Sequence, residues 1–203
     1  MLLAARNPRF ASLAVGQRVE ISPEAWAVAR RCGELISGRE AALPPMPGGP
    51  EPEPRAESDA VGGAGLVIDY GGEQSYSASF RAFRNHQLVD PLIEPSSADL
   101  TANVDFVHLK HALASTDARS HGSMLQAHFL SALGLTQRVE ALIRAAPDDK
   151  RRKEIQAAAM RLVDLTSMGK QYQVLGVDAA PAAAEPDLYP FSLQSMQAAP
   201  SQT

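Results

Sequence analysis

Ala64-Gly65-Leu66-Val67-Ile68 constrains this chain more than any other segment, because it is a continuous apolar run rather than an alternating one. Such a run describes a strand covered on both faces, and strands of that kind occur where helices lie on each side of a sheet. It ends in the polar turn Asp69-Tyr70-Gly71-Gly72. Helical patterns surround it. Ser22-Pro23-Glu24 offers a hydroxyl N-cap, a proline at the first helical position and an acid in the first turn. Trp26, Ala29, Gly33 and Ile36 then follow helical spacing up to a stop at Gly38. Ser79 to His86, with Phe80 and Phe83, suits a second strand, and Asp90-Pro91 and Glu94-Pro95-Ser96 punctuate a loop. Phe106, Leu109 and Leu113 share a helix face, with Asn103 or Asp105 as its N-cap. Leu125, Phe129 and Leu133 mark another helix, closed by Gly134. Thr136 is expected to cap a third, striped by Val139, Leu142, Ile143 and Ala146, braced by Glu140 and Arg144, and broken by Pro147. A fourth carries Ile155, Ala159 and Leu162, and Gln173 to Val177 reads as a late strand. The pattern predicts an α/β fold.

With 203 residues, 45% apolar and 21% charged, the chain is long enough for one domain with a sizeable core. A formal charge of −4 makes no case for nucleic acid as a partner. The single cysteine, Cys32, excludes a disulfide within the chain, and no apolar run is long enough to span a membrane. Between Gly38 and Gly62, six prolines (44, 45, 47, 50, 52 and 54) and several acids interrupt any periodic pattern. Residues 38–62 are therefore expected to form a mobile insertion loop. Residues 178–203, rich in alanine and proline, are expected to form a disordered tail, leaving 1–177 as the domain. Met1 to Arg18 holds Arg6, Arg9 and Arg18 and no acid. That composition suits a mitochondrial transit peptide; a loop and strand of the domain, with Asn7-Pro8 as a turn, is the preferred reading.

Chemistry is expected at the end of the central strand, since ligands of open parallel sheets bind beyond the carboxyl ends of their strands. Asp69 stands there, followed by glycines that let a backbone approach closely. Its carboxylate either meets a ligand or caps the turn. Asp99, Thr101 and Asp105 form a second polar cluster leading into a helix, able to cap it or to grip a polar substrate. His108 and His111 lie three apart without accompanying acid or thiol spacing, so no metal site is expected. No Ser-His-Asp order, CxxC, P-loop or GxGxxG is present. The run Lys150-Arg151-Arg152-Lys153 sits near a helix start, where the dipole disfavours cations; it reads as a solvated face or as a contact for an acidic partner.

Several ordered motifs carry a resemblance. Gly62-Gly63-Ala64 leading into Val67-Ile68-Asp69-Tyr70-Gly71 resembles the GGA-(L/V)-x-x-DYG strand of the MidA-like family. Phe80 to Phe83, His86 to Leu92, and Ala98-Asp99-Leu100-Thr101-Ala102 with Val104-Asp105-Phe106 continue the likeness in order. Phe129-Leu130 with Leu133-Gly134, Met168-Gly169-Lys170 before Val174-Leu175, and Val19 to Ala25 are similar to further family segments. The resemblance implies a mitochondrial protein arginine methyltransferase that uses S-adenosylmethionine and assists assembly of respiratory complex I. It implies symmetric dimethylation of an arginine on an NADH dehydrogenase iron-sulfur subunit. The implied fold is the class I methyltransferase sheet with helices on both faces, with Asp69, Tyr70, Gly71, Asp99, Thr101 and Asp105 as pocket candidates and no catalytic residue singled out. The family's cofactor segment, an acid followed by GPGxG, and its DALP segment do not occur in the sequence. The chain is thus expected to be the C-terminal portion of such a domain, with the N-terminal cofactor half missing. A truncated, non-enzymatic binding module of the same family is the alternative, and the coding DNA upstream of Met1 discriminates the two.

Overall fold

In a computed structural model, residues 10, 13–38, 62–179 and 188–192 are described. Helix α1 (Pro23–Ile36) begins as its cap chemistry dictates: Ser22 Oγ accepts from the Ala25 N–H at 3.1 Å, and Pro23 opens the first turn. Its Ala29 and Gly33 are buried, and Gly38 leaves the helix end at φ 68°.

The main sheet has the order β5-β1-β7-β6, built from β1 (Ala64–Gly72), β5 (Val104–Asp105), β6 (Arg119–Leu125) and β7 (Tyr172–Asp178). The late strand is where the sequence puts it. It runs antiparallel to both neighbours, pairing with β1 from Ala64↔Asp178 to Tyr70↔Tyr172 and with β6 on its other side. Parallel pairing is confined to Gly71↔Val104 and Gly72↔Asp105. The sheet is therefore mixed rather than parallel. Along Ala64–Tyr70 the second edge of β1 carries no strand among the described residues.

Burial of β1 differs from expectation. On one face Val67 packs with Leu175 and Val177 against α1 and against Phe106, Leu109 and Leu113 of α2 (Phe106–Leu113). On the other face Leu66 is 53% and Ile68 49% exposed. The apolar cover on that face, Met124, Val174, Phe129, Leu130 and Phe191, lies over β6 and β7. Leu66 stands opposite Gly176, which offers it no side chain. The strand is covered on one face only.

A smaller sheet, β3-β2-β4, holds β2 (Arg81–Arg84), β3 (Gln87–Val89) and β4 (Asp99–Thr101). The predicted strand Ser79–His86 is cut short because Asn85 and His86 adopt φ 50° and 63°, turning the chain into a hairpin. Asp99–Thr101, expected as loop, pairs with the free edge of β2.

Asp105 caps α2 by accepting from the His108 N–H at 3.1 Å, one of the two predicted alternatives. The remaining helices are α3 (Gln126–Ala132), α4 (Leu135–Ala145), α5 (Asp149–Val163) and α6 (Met168–Gln171). Thr136 is not a cap; Gly134, at φ 83°, occupies that position and α4 starts two residues earlier than expected. The basic run of α5 is offset locally, by the Asp148 cap on the Arg151 N–H at 2.7 Å and by the pairs Arg152–Asp149 and Arg151–Glu154. Within the tail, Leu188–Ser192 are described, and Phe191 packs against Phe129 and over Gly122 and Gly176. The proline-rich stretch 39–61 and the rest of the tail lie outside the described residues. Among the described residues no helix is long and apolar enough to cross a membrane.

Candidate functional site

The end of β1 is shaped by two glycines. Gly71 has φ 153°, and a Cβ there would lie 2.1 Å from the Val104 carbonyl oxygen. Only glycine lets β5 come alongside. A Cβ on Gly72 would meet Tyr76 Oη at 3.1 Å, and the Tyr76 carbonyl accepts from the Glu20 N–H at 2.8 Å. The approach to α1, the segment after β1 and the entry to α2 thus converge. They enclose a cavity of about 550 Å³ whose polar lining includes Glu20, Tyr76, Asn103, Asp105 and His108.

Glu20 is the most constrained group. One carboxylate oxygen accepts from the Ser79 N–H at 2.7 Å and the Phe80 N–H at 3.1 Å, and the other accepts from Ser79 Oγ. Burial alone would raise its pKa, but these bonds and the nearby Arg18 outweigh it and lower the carboxyl below its ordinary value. Ser79 Oγ in turn accepts from the Asn103 N–H at 2.9 Å. Arg81 donates to Asn103 Oδ1 and to the Ser79 carbonyl, both at 3.0 Å, and its guanidinium lies 5.4 Å from the Tyr70 ring centroid. His108, 6% exposed, donates Nε2–H to the Ser22 carbonyl at 3.2 Å and stacks at a tilt on Trp26. Just past β1, Glu73 takes an ion pair from Lys110 and hydrogen bonds from the Ser123 N–H at 3.2 Å and Oγ at 3.1 Å. The Lys110 hydrogen bond comes first among the causes that lower its pKa against burial.

Of the six candidates read from the sequence, Asp105 lines the cavity. Gly71 sets its edge through the β5 pairing. Tyr70 lies edge-on to Tyr172 at 5.7 Å; burial, then the Asp69 charge, raises its pKa against the pull of Arg81. Asp69 lies three residues inside β1 rather than at its end, half-buried, with Oδ1 accepting from the Tyr70 N–H at 2.7 Å. Asp99 is exposed on β4 opposite Phe83. Thr101 Oγ1 is buried without a hydrogen-bond partner. Glu20, Tyr76 and Ser79 were not read as site residues from the sequence, Asn103 was read only as a helix cap and His108 only in a metal reading that was set aside; a lone acid between Val19 and Ile21 was the available signal for Glu20. Among the described residues no three His, Cys, Asp or Glu side chains group as metal ligands. Gly71-Gly72 leads into Glu73 and an irregular segment rather than into a helix N-terminus.

Residues 2–124 match the family described as putative S-adenosyl-L-methionine-dependent methyltransferases. A protein named as a mitochondrial protein arginine methyltransferase from Drosophila melanogaster is 38% identical over 139 residues, 67% of this chain and 31% of its own length. The human protein of that name is 35% identical over 112 residues, 55% of this chain and 25% of its own. A Burkholderia thailandensis structure titled as a likely methyl transferase bound to S-adenosyl-homocysteine aligns with a TM-score of 0.51 and 24% identity, covering 58% of this chain and 32% of that one. That likeness supports the expected methyltransferase-like α/β fold. The chain spans about a third or less of the length of these relatives. With more than half of its residues inside the family match, the chain belongs to the putative S-adenosyl-L-methionine-dependent methyltransferases.

Proposed function

We propose that this chain supplies the acceptor-binding portion of a mitochondrial protein arginine methyltransferase. In this reading the family-length protein dimethylates, symmetrically, an arginine of an NADH dehydrogenase iron-sulfur subunit and so supports complex I assembly. The names of the relatives support a mitochondrial enzyme with a protein arginine as acceptor. The observation that carries the reading is the cavity beside Gly71-Gly72, where Glu20 and Asp105 supply negative charge and no Lys or Arg stands among the described lining residues. Such a lining favours a cationic side chain. Asp105, Tyr70 and Gly71 belong to the wall of this site or its edge, while Asp69, Asp99 and Thr101 shape the segments behind it.

S-adenosylmethionine supplies the methyl group in this family. What these residues contribute is orientation. A guanidinium held against a fixed carboxylate loses the rotational freedom that would otherwise raise the barrier to attack. The test joins this sequence to the preceding segment of the Drosophila melanogaster relative in one polypeptide. It is incubated with methyl-labelled S-adenosylmethionine and the iron-sulfur subunit, and the product is hydrolysed. Label in symmetric dimethylarginine is expected. Label on lysine, or none, refutes the reading.

A further inference from the structure

We infer that the outward face of α5, from Lys150 to Arg161, is a docking surface for an acidic amphipathic helix of a partner polypeptide. None of its residues lines the cavity beside Gly71-Gly72, so the inference stands apart from the function proposed above.

Spacing assembles the surface. Lys150, Lys153, Ala157, Met160 and Arg161 fall on one side of α5, because steps of three and four residues return to the same side of a helix. All five are exposed, Met160 by 65%. The partly buried Ile155, Ala159 and Val163 share the opposite side, and α5 packs on α3, α4 and α6. From Lys150 to Arg161 the stripe runs about 16 Å, or about three turns.

Its charge is not spent within the fold. Arg151 pairs with Glu154 at 3.1 Å and Arg152 with Asp149 at 2.6 Å. Asp164, at the far end of α5, accepts from the Thr166 N–H at 2.8 Å and its hydroxyl at 2.7 Å. Lys150, Lys153 and Arg161 make no ion pair with a described residue. Lys150 and Lys153 also stand near the start of α5, where the partial positive charge of the helix end disfavours cations. Residues 135–163 hold seven Lys or Arg against four Asp or Glu, in a chain whose formal charge is −4. A row of unpaired cations, held against both the helix dipole and the sign of the whole chain, is complementary to an acidic surface.

Shape selects a helix among acidic partners. Ala157 stands between the cations and leaves a shallow gap, where a second helix can approach to the about 8–10 Å that separates packed helix axes. Met160 beside it is unbranched and adapts to what it meets. Acids toward both ends of about three turns would meet Lys150 and Lys153 at one end and Arg161 at the other. Met160 is the one large apolar side chain of the five, less than the broad apolar face of a helix that lies in a bilayer surface. Three cations answer about three phosphates, and the stripe has no aromatic ring for a base to stack on, so nucleic acid is disfavoured too.

The test is an NMR titration of the isotope-labelled 203-residue chain with an acetylated, amidated, alanine-based peptide of about fifteen residues, long enough to be marginally helical. One version carries glutamates at both ends of a single face with leucine between them; a second has the same composition with the glutamates spread around the helix. The first is expected to shift the amide signals of Lys150, Lys153, Ala157, Met160 and Arg161 and to bind severalfold more tightly than the second. Reversing two charges in the double variant Lys150→Glu, Lys153→Glu should weaken binding about tenfold or more, and acids at a helix start do not endanger folding. Ala157→Gln leaves every charge in place but fills the gap, and should weaken binding severalfold, which diffuse attraction between charges does not predict. No binding, shifts elsewhere, equal affinity for the two peptides, or full affinity in both variants would overturn the inference. Tighter binding of the same face to phosphatidylglycerol vesicles or to a single-stranded oligonucleotide would overturn it as well.

Discussion

Removing the carboxylate of Asp178 is expected to lower the melting temperature of the chain by about 4–12 °C. Asp178 is 7% exposed and closes the last turn of the main sheet on β6. It accepts from Arg119 Nε at 3.0 Å and from a terminal Arg119 nitrogen at 2.9 Å, and it pairs with His121 Nε2 at 3.0 Å. Breaking a buried pair by deleting one partner costs about 3–5 kcal/mol. Arg119 keeps 30% of its side-chain surface in contact with solvent and can rehydrate, so a smaller loss of about 2–3 kcal/mol applies to Asp178→Ala. For a chain of this size each kcal/mol moves the midpoint by about 2–4 °C. The pH dependence has a definite sign. Burial raises the Asp178 pKa, but the bonds from Arg119 and His121 outweigh it and hold the folded carboxyl below its ordinary value. A depressed carboxyl contributes stability above its unfolded pKa and loses it as pH falls through the folded value. The gap between the native chain and Asp178→Ala, followed by circular dichroism melts, should hold near neutrality and shrink below about pH 4. A variant melting within 1 °C of the native chain, at about the precision of such melts, refutes the reasoning, as does a gap that widens in acid.

Gly71→Ala should cost at least about 1–3 kcal/mol, because its Cβ meets the Val104 carbonyl at 2.1 Å and its φ is 153°; chemical denaturation measures the loss, and no change would remove the claim that glycine is required for the β1–β5 contact. Phe191→Ala should cost about 2 kcal/mol, less than a fully buried phenylalanine, since the ring is half-buried over Gly122 and Gly176; an unaltered midpoint in the same assay counts against that packing. The 203-residue chain by itself should show no measurable heat on titration with S-adenosylmethionine, since no glycine-rich turn opens a helix among the described residues; micromolar binding contradicts that. Tyr70 should ionise later than ordinary tyrosine, its pKa being raised; spectrophotometric titration of Tyr70→Phe should lose a late-titrating phenol, and loss of an early one disproves the assignment.

What the sequence made legible was local. Ser22 and Asp105 each satisfy a backbone N–H three residues ahead, so their helix starts could be read from spacing alone. The β7 strand was legible because it is buried from Gln173 to Asp178. The face of β1 was not, because Leu66, Val67 and Ile68 are all apolar and periodicity cannot say which side a distant helix will cover. The start of α4 was misread because Thr136 has cap chemistry while Gly134 has the cap conformation. Of the site, Asp105 was visible through its own cap. Glu20 was not, since its partner Ser79 lies 59 residues away and the link exists only once the chain is folded.

The open side of β1 sets how this sequence behaves in crowded solution. From Ala64 to Ile68 it presents backbone donors and acceptors without a described strand beside them, on residues with no charge and no proline. Leu66 and Ile68 add an uncovered apolar surface to the same strand. Natural sheets blunt such edges with lysine, proline or a bulge, because any extended peptide can add to them. Among the described residues Ala64 to Ile68 carry none of those guards, so handled alone at high concentration the chain should stack on itself through β1. Leu66→Lys places a gatekeeper charge on the exposed face, remote from the α1–α2 core, and should raise the concentration at which precipitation begins.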